Sequence, residues 1–136
     1  MNYTTLAKRA AAARKLSHSP YSHFKVGAAL LARDGKVYTG CNIEISSFAL
    51  TLCAERTAIF KAVSEGERKF QAIAVATDEN DFTAPCGACR QVLMDLAGDI
   101  DFIMSKKNGE IKVLRLSELF PYPFGSKNFI KTKRRA

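Results

Sequence analysis

The sequence contains no long hydrophobic segment, no low-complexity tract and no apolar core of a secretory signal at its start. The longest run without a charged residue is residues 45–54, which is too short to cross a bilayer. The missing low-complexity tract argues against a disordered chain, and the missing signal argues against export. We therefore expect a cytoplasmic protein with no membrane association. The acid-free, arginine-containing start leaves a mitochondrial presequence as the alternative.

Cysteine is also scarce, with four residues at Cys41, Cys53, Cys86 and Cys89. Small secreted domains that depend on disulfides are much denser in cysteine, so this chain does not fit that class. A metal-binding or redox use of the thiols in a reducing compartment fits this number better.

Acidic residues are absent from both ends of the chain. Residues 1–33 contain six basic residues and no acidic one, and residues 127–136 contain five basic residues and no acidic one. The stretch between them has ten basic and thirteen acidic residues, so the formal charge of +8 belongs to the ends. Such a charge suggests a nucleic-acid partner, but its location leads us to expect none. We interpret residues 126–136 as a basic C-terminal tail that is partly disordered.

The length of 136 residues fits one domain, and no linker or repeat divides the chain, so we expect a single domain over residues 1–136. Helical and strand patterns follow the order α-ββ-α-β-α-β-β. Thr4 is the candidate N-cap of the first helix, and Leu16 belongs to its apolar stripe. Asp34 and Gly35 form the turn of a β-hairpin. This order predicts an α/β fold with helices on both faces of one mixed sheet of five strands.

The strongest chemical signal is a pair of segments, CAE at residues 53–55 and PCGAC at residues 85–89, each at the start of a predicted helix. Side chains in a first turn can converge beyond the helix N-terminus, where free N–H groups favour thiolate over thiol. Cys86 and Cys89 can bind one zinc ion together, and Cys53 would supply a third thiolate. Three protein ligands leave the fourth position of a tetrahedral zinc open, as in a catalytic site.

Neighbours of these cysteines complete the candidate site. Glu55 lies two residues from Cys53 without having to bind zinc, and we expect it to be the proton shuttle. Cys41, in a predicted strand, is interpreted as a small buried hydrophobic residue, because a fourth ligand would close the site. Arg90, next to Cys89, is interpreted as a solvated or ion-paired helix residue.

Four motifs follow one another along the chain. They are FKVGAA at residues 24–29, CNIE at 41–44, CAERTA at 53–58 and PCGACRQV at 85–92. The Cys-x-Glu and Pro-Cys-x-x-Cys elements match the signature of the zinc nucleobase deaminases. Over residues 20–124 the chain resembles the small homotetrameric cytidine deaminases that act on free nucleosides. The resemblance implies a three-layer α-β-α fold of the cytidine deaminase type and one zinc ion per subunit.

The resemblance also implies roles for individual residues. The residues implied to contact the substrate are Phe24 for the pyrimidine ring, Asn42 and Glu44 for the ribose hydroxyls, and Ala54 with Glu55 for the cytosine edge. Phe124 matches the aromatic residue that family members contribute to the active site of a neighbouring subunit. This match implies a homotetramer whose sites are completed by neighbouring chains.

Arg56 has a physical rationale of its own. Zinc with three thiolates carries a net negative charge, which weakens it as a Lewis acid, and a guanidinium donating to the sulfurs would offset that charge. Ile45 and Phe48 depart from the resembled family, in which Asn and Tyr are common at these places. Since Phe48 lacks a phenolic hydroxyl, this departure concerns subunit packing or substrate preference.

We therefore predict zinc-dependent hydrolytic deamination of cytidine and 2′-deoxycytidine to uridine and 2′-deoxyuridine, with release of ammonia, in pyrimidine salvage. One alternative is a deaminase of another small base or of a nucleoside analogue, against which the ribose pair Asn42 and Glu44 argues. A second is a deaminase of RNA or DNA, which the net charge suggests. A third is a nucleic-acid module with a structural zinc, which would need a closed site of four ligands.

Overall fold

The computed structural model describes residues 1–127 and 129. The α-helices are α1 (Tyr3–Ala13), α2 (Ala54–Ser64), α3 (Gly87–Ala97) and α4 (Leu116–Leu119). The strands are β1 (Gly27–Ala32), β2 (Val37–Cys41), β3 (Phe70–Ala76), β4 (Asp101–Ser105) and β5 (Ile111–Arg115). They form one sheet in the order β2-β1-β3-β4-β5, in which β3 and β4 are parallel and the other neighbours are antiparallel. The expected mixed sheet of five strands is confirmed.

The interior strand β1 explains why helices cover both faces of the sheet. All six of its residues are buried, and successive side chains of a strand point to opposite faces. Ala28 and Leu30 belong to the core shared with α2 and α3, whereas Ala29 and Leu31 belong to the core shared with α1. The three-layer α-β-α arrangement is therefore confirmed.

The parallel pair β3 and β4 determines where α3 lies. Parallel neighbours need a crossover connection, and α3 provides it. Its residue Leu93 is fully buried in the same core as Ala58 and Ile59 of α2. The two helices are thus adjacent on one face of the sheet, and their N-termini carry the two cysteine segments.

A close backbone contact holds α2 against the edge strand β2. A side-chain β-carbon at Gly40 would lie 2.6 Å from the Ala54 carbonyl oxygen and 2.6 Å from the Ala58 nitrogen. Only glycine allows this approach, since both atoms belong to the backbone of a helix that cannot move independently. The position of the first turn of α2 therefore depends on the absence of a side chain at residue 40.

Two details at the start of the chain differ from the sequence-based expectation. The N-cap of α1 is Asn2, whose Oδ1 accepts a hydrogen bond from the Thr5 nitrogen at 2.8 Å, and Thr4 lies within the helix. The helix begins earlier because Tyr3 is anchored in its first turn, where its hydroxyl donates to Asp101 at 2.6 Å. Leu16 is 80% exposed, because the α-helix ends at Ala13 and a 3₁₀ turn follows.

Most of the basic C-terminal tail expected at residues 126–136 lies outside the described residues, namely 128 and 130–136. Among the residues that are described, no helix has both the length and the apolarity needed to cross a bilayer.

We expect Gly40→Ala to destabilise the protein by about 1–3 kcal/mol or more, because the new methyl group would push α2 away from the sheet. Denaturant unfolding monitored by circular dichroism would measure this change. Gly87→Ala is the matched control, because a β-carbon at Gly87 would meet no atom within 4 Å. Equal stability of the two variants would show that α2 does not approach β2 this closely.

Candidate active site

The three predicted zinc ligands meet at the N-termini of α2 and α3. Cys53 and Cys86 are the N-cap residues of these helices, and Cys89 lies in the first turn of α3. Their sulfurs all lie within 4.8 Å of one another, with Cys53 to Cys86 at 3.8 Å and Cys86 to Cys89 at 3.4 Å. Tetrahedral zinc with bonds of about 2.3 Å separates its sulfurs by about 3.8 Å. The cluster therefore fits one zinc ion, and Cys41 does not belong to it.

The surroundings of the Cys53 sulfur favour its ionised form. The backbone N–H of Cys89 donates to the Cys86 sulfur at 3.4 Å, and Nη2 of Arg56 donates to the Cys53 sulfur at 3.3 Å. The hydrogen bond with Cys89, together with those from Arg56 and Cys86, lowers the pKa of Cys53 to about 5 against the opposing effect of burial. The same Cys53 contact, with burial, raises the pKa of Cys89. Cys53 is thus the first of this pair to ionise.

The Arg56 side chain lies against the sulfur cluster, where it donates to Cys53. Its Nη2 also approaches the Thr51 carbonyl oxygen at 3.4 Å, and its buried Nε has no hydrogen-bond partner among residues 1–127 and 129. A partly buried guanidinium is costly unless negative charge compensates it. A thiolate at Cys53 supplies that charge, so Arg56 and the Cys53 sulfur stabilise each other.

Glu55 is a buried carboxyl group in the first turn of α2. Only 5% of the residue is exposed, and burial raises its pKa to about 7, with a smaller contribution from the neighbouring Cys53. A carboxyl group with this pKa can gain and lose a proton near neutral pH, which general acid–base chemistry requires. The physical cause is the low polarity of its position rather than a single strong charge.

A cavity of about 370 Å³ opens at the sulfur cluster. The predicted substrate and catalytic residues that line it are Phe24, Asn42, Glu44, Ala54 and Glu55. Cys53 and Cys86 form part of the wall as well, and among residues 1–127 and 129 no lysine or arginine does. Thr77 and Thr83 also line it; sequence reasoning missed both, because they belong to no motif and reach the cavity only through the path of the loop after β3.

The Glu44 side chain is hydrogen-bonded to the turn that precedes Phe24. Oε1 of Glu44 accepts hydrogen bonds from the nitrogens of Tyr21 and Ser22, each at 3.0 Å, and Oε2 accepts one from the Ser22 hydroxyl. These bonds, that of the Ser22 hydroxyl foremost, lower the pKa of Glu44. Glu44 is therefore a carboxylate at neutral pH.

Asn42 contacts the backbone on both sides of residue 25. Its Nδ2 donates to the Phe24 carbonyl oxygen at 2.7 Å, and its Oδ1 accepts from the Val26 nitrogen at 3.0 Å and from the Ser17 hydroxyl at 2.5 Å. One N–H of the amide is left over, since Nδ2 has two hydrogens. Asn42 thus shapes the cavity wall and retains one donor.

Phe124 lies outside this cavity. Its carbonyl oxygen accepts a hydrogen bond from Nε2 of Gln91 on α3 at 2.9 Å. Its ring is 56% exposed and contacts the ring of Phe129 edge-on, with centroids 5.7 Å apart. The structure therefore brings together every predicted site residue except this one.

The sequence predicts a solvated or ion-paired Arg90, but the guanidinium instead donates hydrogen bonds to backbone carbonyl groups. Its Nε donates to the Pro85 carbonyl oxygen at 2.9 Å, and its Nη1 donates to the Leu119 carbonyl oxygen. These bonds fix the peptide that precedes Cys86 and connect it to α4. The sequence gives no signal of this role, because one partner lies 29 residues away.

We expect Cys86→Ala to reduce bound zinc from about one ion per chain to a small fraction, because two thiolates bind zinc far more weakly than three. Metal analysis of the purified protein would measure this. Cys41→Ala is the matched control and should keep its zinc, since Cys41 lies outside the cluster. Full zinc content in the Cys86 variant would contradict the assignment.

Comparisons with known proteins agree with this site. Residues 1–104 match the family described as the cytidine and deoxycytidylate deaminase zinc-binding region. Cytidine deaminases of Sporosarcina psychrophila and Halalkalibacterium halodurans are 44% and 49% identical to this chain, covering 94% and 91% of it and 95% of each relative. The crystal structure of the cytidine deaminase of Burkholderia pseudomallei, 44% identical, matches with a TM-score of 0.88 over 91% of this chain and 100% of that one. The chain therefore belongs to the cytidine and deoxycytidylate deaminase zinc-binding family.

Proposed function

We propose that the chain catalyses the zinc-dependent hydrolysis of cytidine and 2′-deoxycytidine to uridine and 2′-deoxyuridine, with release of ammonia. The observation that carries this proposal is the opening of one cavity onto both the sulfur cluster and Glu55. The same cavity has an aromatic wall at Phe24 and two polar groups, Asn42 and Glu44. A nucleoside has the matching parts, namely a flat base and a sugar with hydroxyl groups.

Cys53, Cys86 and Cys89 are the proposed zinc ligands. When bound there, zinc supplies a Lewis acid beside which water becomes a nucleophile near neutral pH. Arg56 donates to the Cys53 sulfur and in this role draws negative charge away from the metal site.

Glu55 is the proposed proton carrier. As a carboxylate it accepts one proton from the attacking water and delivers it to N3 of the pyrimidine. It then accepts the second proton, from the hydroxyl group that has been added at C4, and delivers it to the leaving amino group. The pKa of about 7 fits both the accepting and the donating steps. The balance is one water consumed, a C4–O bond formed, the C4–N bond broken and one ammonia released.

The remaining residues of the cavity orient the nucleoside. Phe24 packs against the pyrimidine ring, and the backbone at Ala54 pairs with the cytosine edge. Asn42 and Glu44 offer one donor and one acceptor to the ribose hydroxyls. No lysine or arginine of the described part of the chain lines the cavity. This lining, together with the charge of Glu44, disfavours a phosphate and therefore supports a free nucleoside over a nucleotide or nucleic acid.

We also propose that residues 1–136 act as one domain within a homotetramer of the cytoplasm that serves pyrimidine salvage. Exposed aromatic and aliphatic side chains support the assembly. Phe48 and Leu50 are 71% and 67% exposed, and Phe124 lies outside the cavity of its own chain, as expected of a residue that completes the site of a neighbour. Phe48 lies edge-on against Tyr21, so the missing phenolic hydroxyl falls on this exposed surface.

We expect Glu55→Gln to bind zinc normally and to lower kcat by about a thousandfold, because glutamine keeps the shape of the side chain but cannot carry the proton. Steady-state loss of cytidine absorbance, combined with metal analysis, would measure both. Glu65→Gln, at the far end of α2 on the surface, is the matched control. A fully active Glu55 variant would overturn the mechanism.

A substrate panel distinguishes the proposed function from its alternatives. We expect cytidine and 2′-deoxycytidine to be deaminated, CMP and a short oligonucleotide to react at least about a hundredfold more slowly, and a chelator to abolish activity. Ultraviolet absorbance would follow the reaction at low and high salt. Preferential oligonucleotide deamination with a steep salt dependence would instead identify a nucleic-acid enzyme.

A further inference from the structure

The hydroxyl of Ser22 makes two hydrogen bonds that join two residues of the cavity wall, Glu44 and Phe24. It donates to Oε2 of Glu44, and its oxygen accepts the backbone N–H of Phe24 at 3.0 Å. All three residues line the cavity. Ser22 is therefore the direct link between the carboxylate proposed for the sugar and the aromatic residue proposed for the base.

We propose that Ser22 is a positioning residue that couples the sugar end of the cavity to its base end, by transmitting the position of the Glu44 carboxylate to the Phe24 peptide. This inference rests on the proposed function, because it assigns a role in binding the same nucleoside. Ser22 acts through Glu44 and Phe24 and contributes no group to the reaction itself.

The conformation of the turn before Phe24 shows why such a link is needed. His23 has a φ of 57°, which is a left-handed backbone conformation that residues other than glycine rarely adopt. Its nitrogen donates to the Ser19 carbonyl oxygen at 3.0 Å. The backbone nitrogens of Tyr21 and Ser22, which precede His23, both donate hydrogen bonds to the Glu44 carboxylate. The turn is thus held in an unfavourable conformation by the carboxylate.

Asn42 holds the peptide on the other side of the Phe24 α-carbon, since its Nδ2 donates to the Phe24 carbonyl oxygen at 2.7 Å. The amide N–H of Phe24 depends on Ser22 and its carbonyl on Asn42. Asn42 and, through Ser22, Glu44 thus orient the backbone on both sides of the Phe24 α-carbon. A ribose hydroxyl that donates to Glu44 joins a carboxylate that already accepts three hydrogen bonds. Its arrival therefore acts on the position of the Phe24 ring.

We expect Ser22→Ala to raise KM for cytidine about tenfold while kcat changes less than about twofold, since the loss falls on binding geometry and not on proton transfer. Ser22→Thr should restore most of the affinity, because it keeps the hydroxyl. Ser64→Ala removes a hydroxyl that donates to the Lys61 carbonyl at the end of α2 and is the matched control. Zinc content and thermal unfolding should be unchanged in Ser22→Ala.

A double-mutant cycle tests whether Ser22 acts through Glu44. In a Glu44→Ala background, adding Ser22→Ala should change KM less than about twofold, because the partner is already gone. A full tenfold effect in that background would overturn the coupling, as would an unchanged KM in the single variant, or a loss of zinc or of folding there. Failure of the unaltered protein to deaminate cytidine would instead overturn the proposed function, so the two failures are distinguishable.

Discussion

The convergence of two helix N-termini on three cysteine sulfurs is the constraint on which the rest of the molecule depends. The sulfurs of Cys53 and Cys86 lie 3.8 Å apart although the residues are 33 positions apart in the chain. This distance requires that α2 and α3 pack side by side on one face of the sheet. The parallel pairing of β3 with β4 places α3 on this face, and the absence of a side chain at Gly40 allows α2 to pack there.

The electrostatics of the site follow from the same convergence. Helix N-termini and the Arg56 guanidinium stabilise negative charge on the sulfurs, and burial near them raises the pKa of Glu55 to about 7. One arrangement thus lowers the pKa of Cys53 and raises that of Glu55. The formal charge of +8 is not concentrated at the cavity, since the residues that the structure describes place no lysine or arginine in its wall.

The part of the cavity wall formed by Phe24, Asn42 and Glu44 is built differently. It depends on hydrogen bonds from side chains to a turn, and not on helix packing. Glu44 and Asn42 each contact backbone groups of the segment that leads to Phe24. An extended segment presents residues two positions apart on one face, so this pair reaches the same turn and the same cavity. The residues proposed to bind the sugar are thereby also the residues that shape the pocket for the base.

Local patterns in the sequence were enough to predict α1, α2 and α3, the five strands, the hairpin at Asp34 and Gly35, and the cysteine set, because each depends on residues close together in the chain. The Cys-x-x-Cys spacing and Glu55, two residues after Cys53, could be recognised in the sequence for the same reason. The N-cap at Asn2 was missed because Tyr3 is anchored by Asp101, 98 residues away.

Long-range contacts decided the rest. Arg90 takes its role from the Leu119 carbonyl and Ser22 from Glu44, and no spacing within the sequence encodes either pair. The sequence by itself therefore determined which chemistry this protein carries, since ligand types and helix starts are local properties. Only the tertiary structure decided how the parts are held and coupled, since hydrogen bonds between distant segments exist only once the sheet has brought them together.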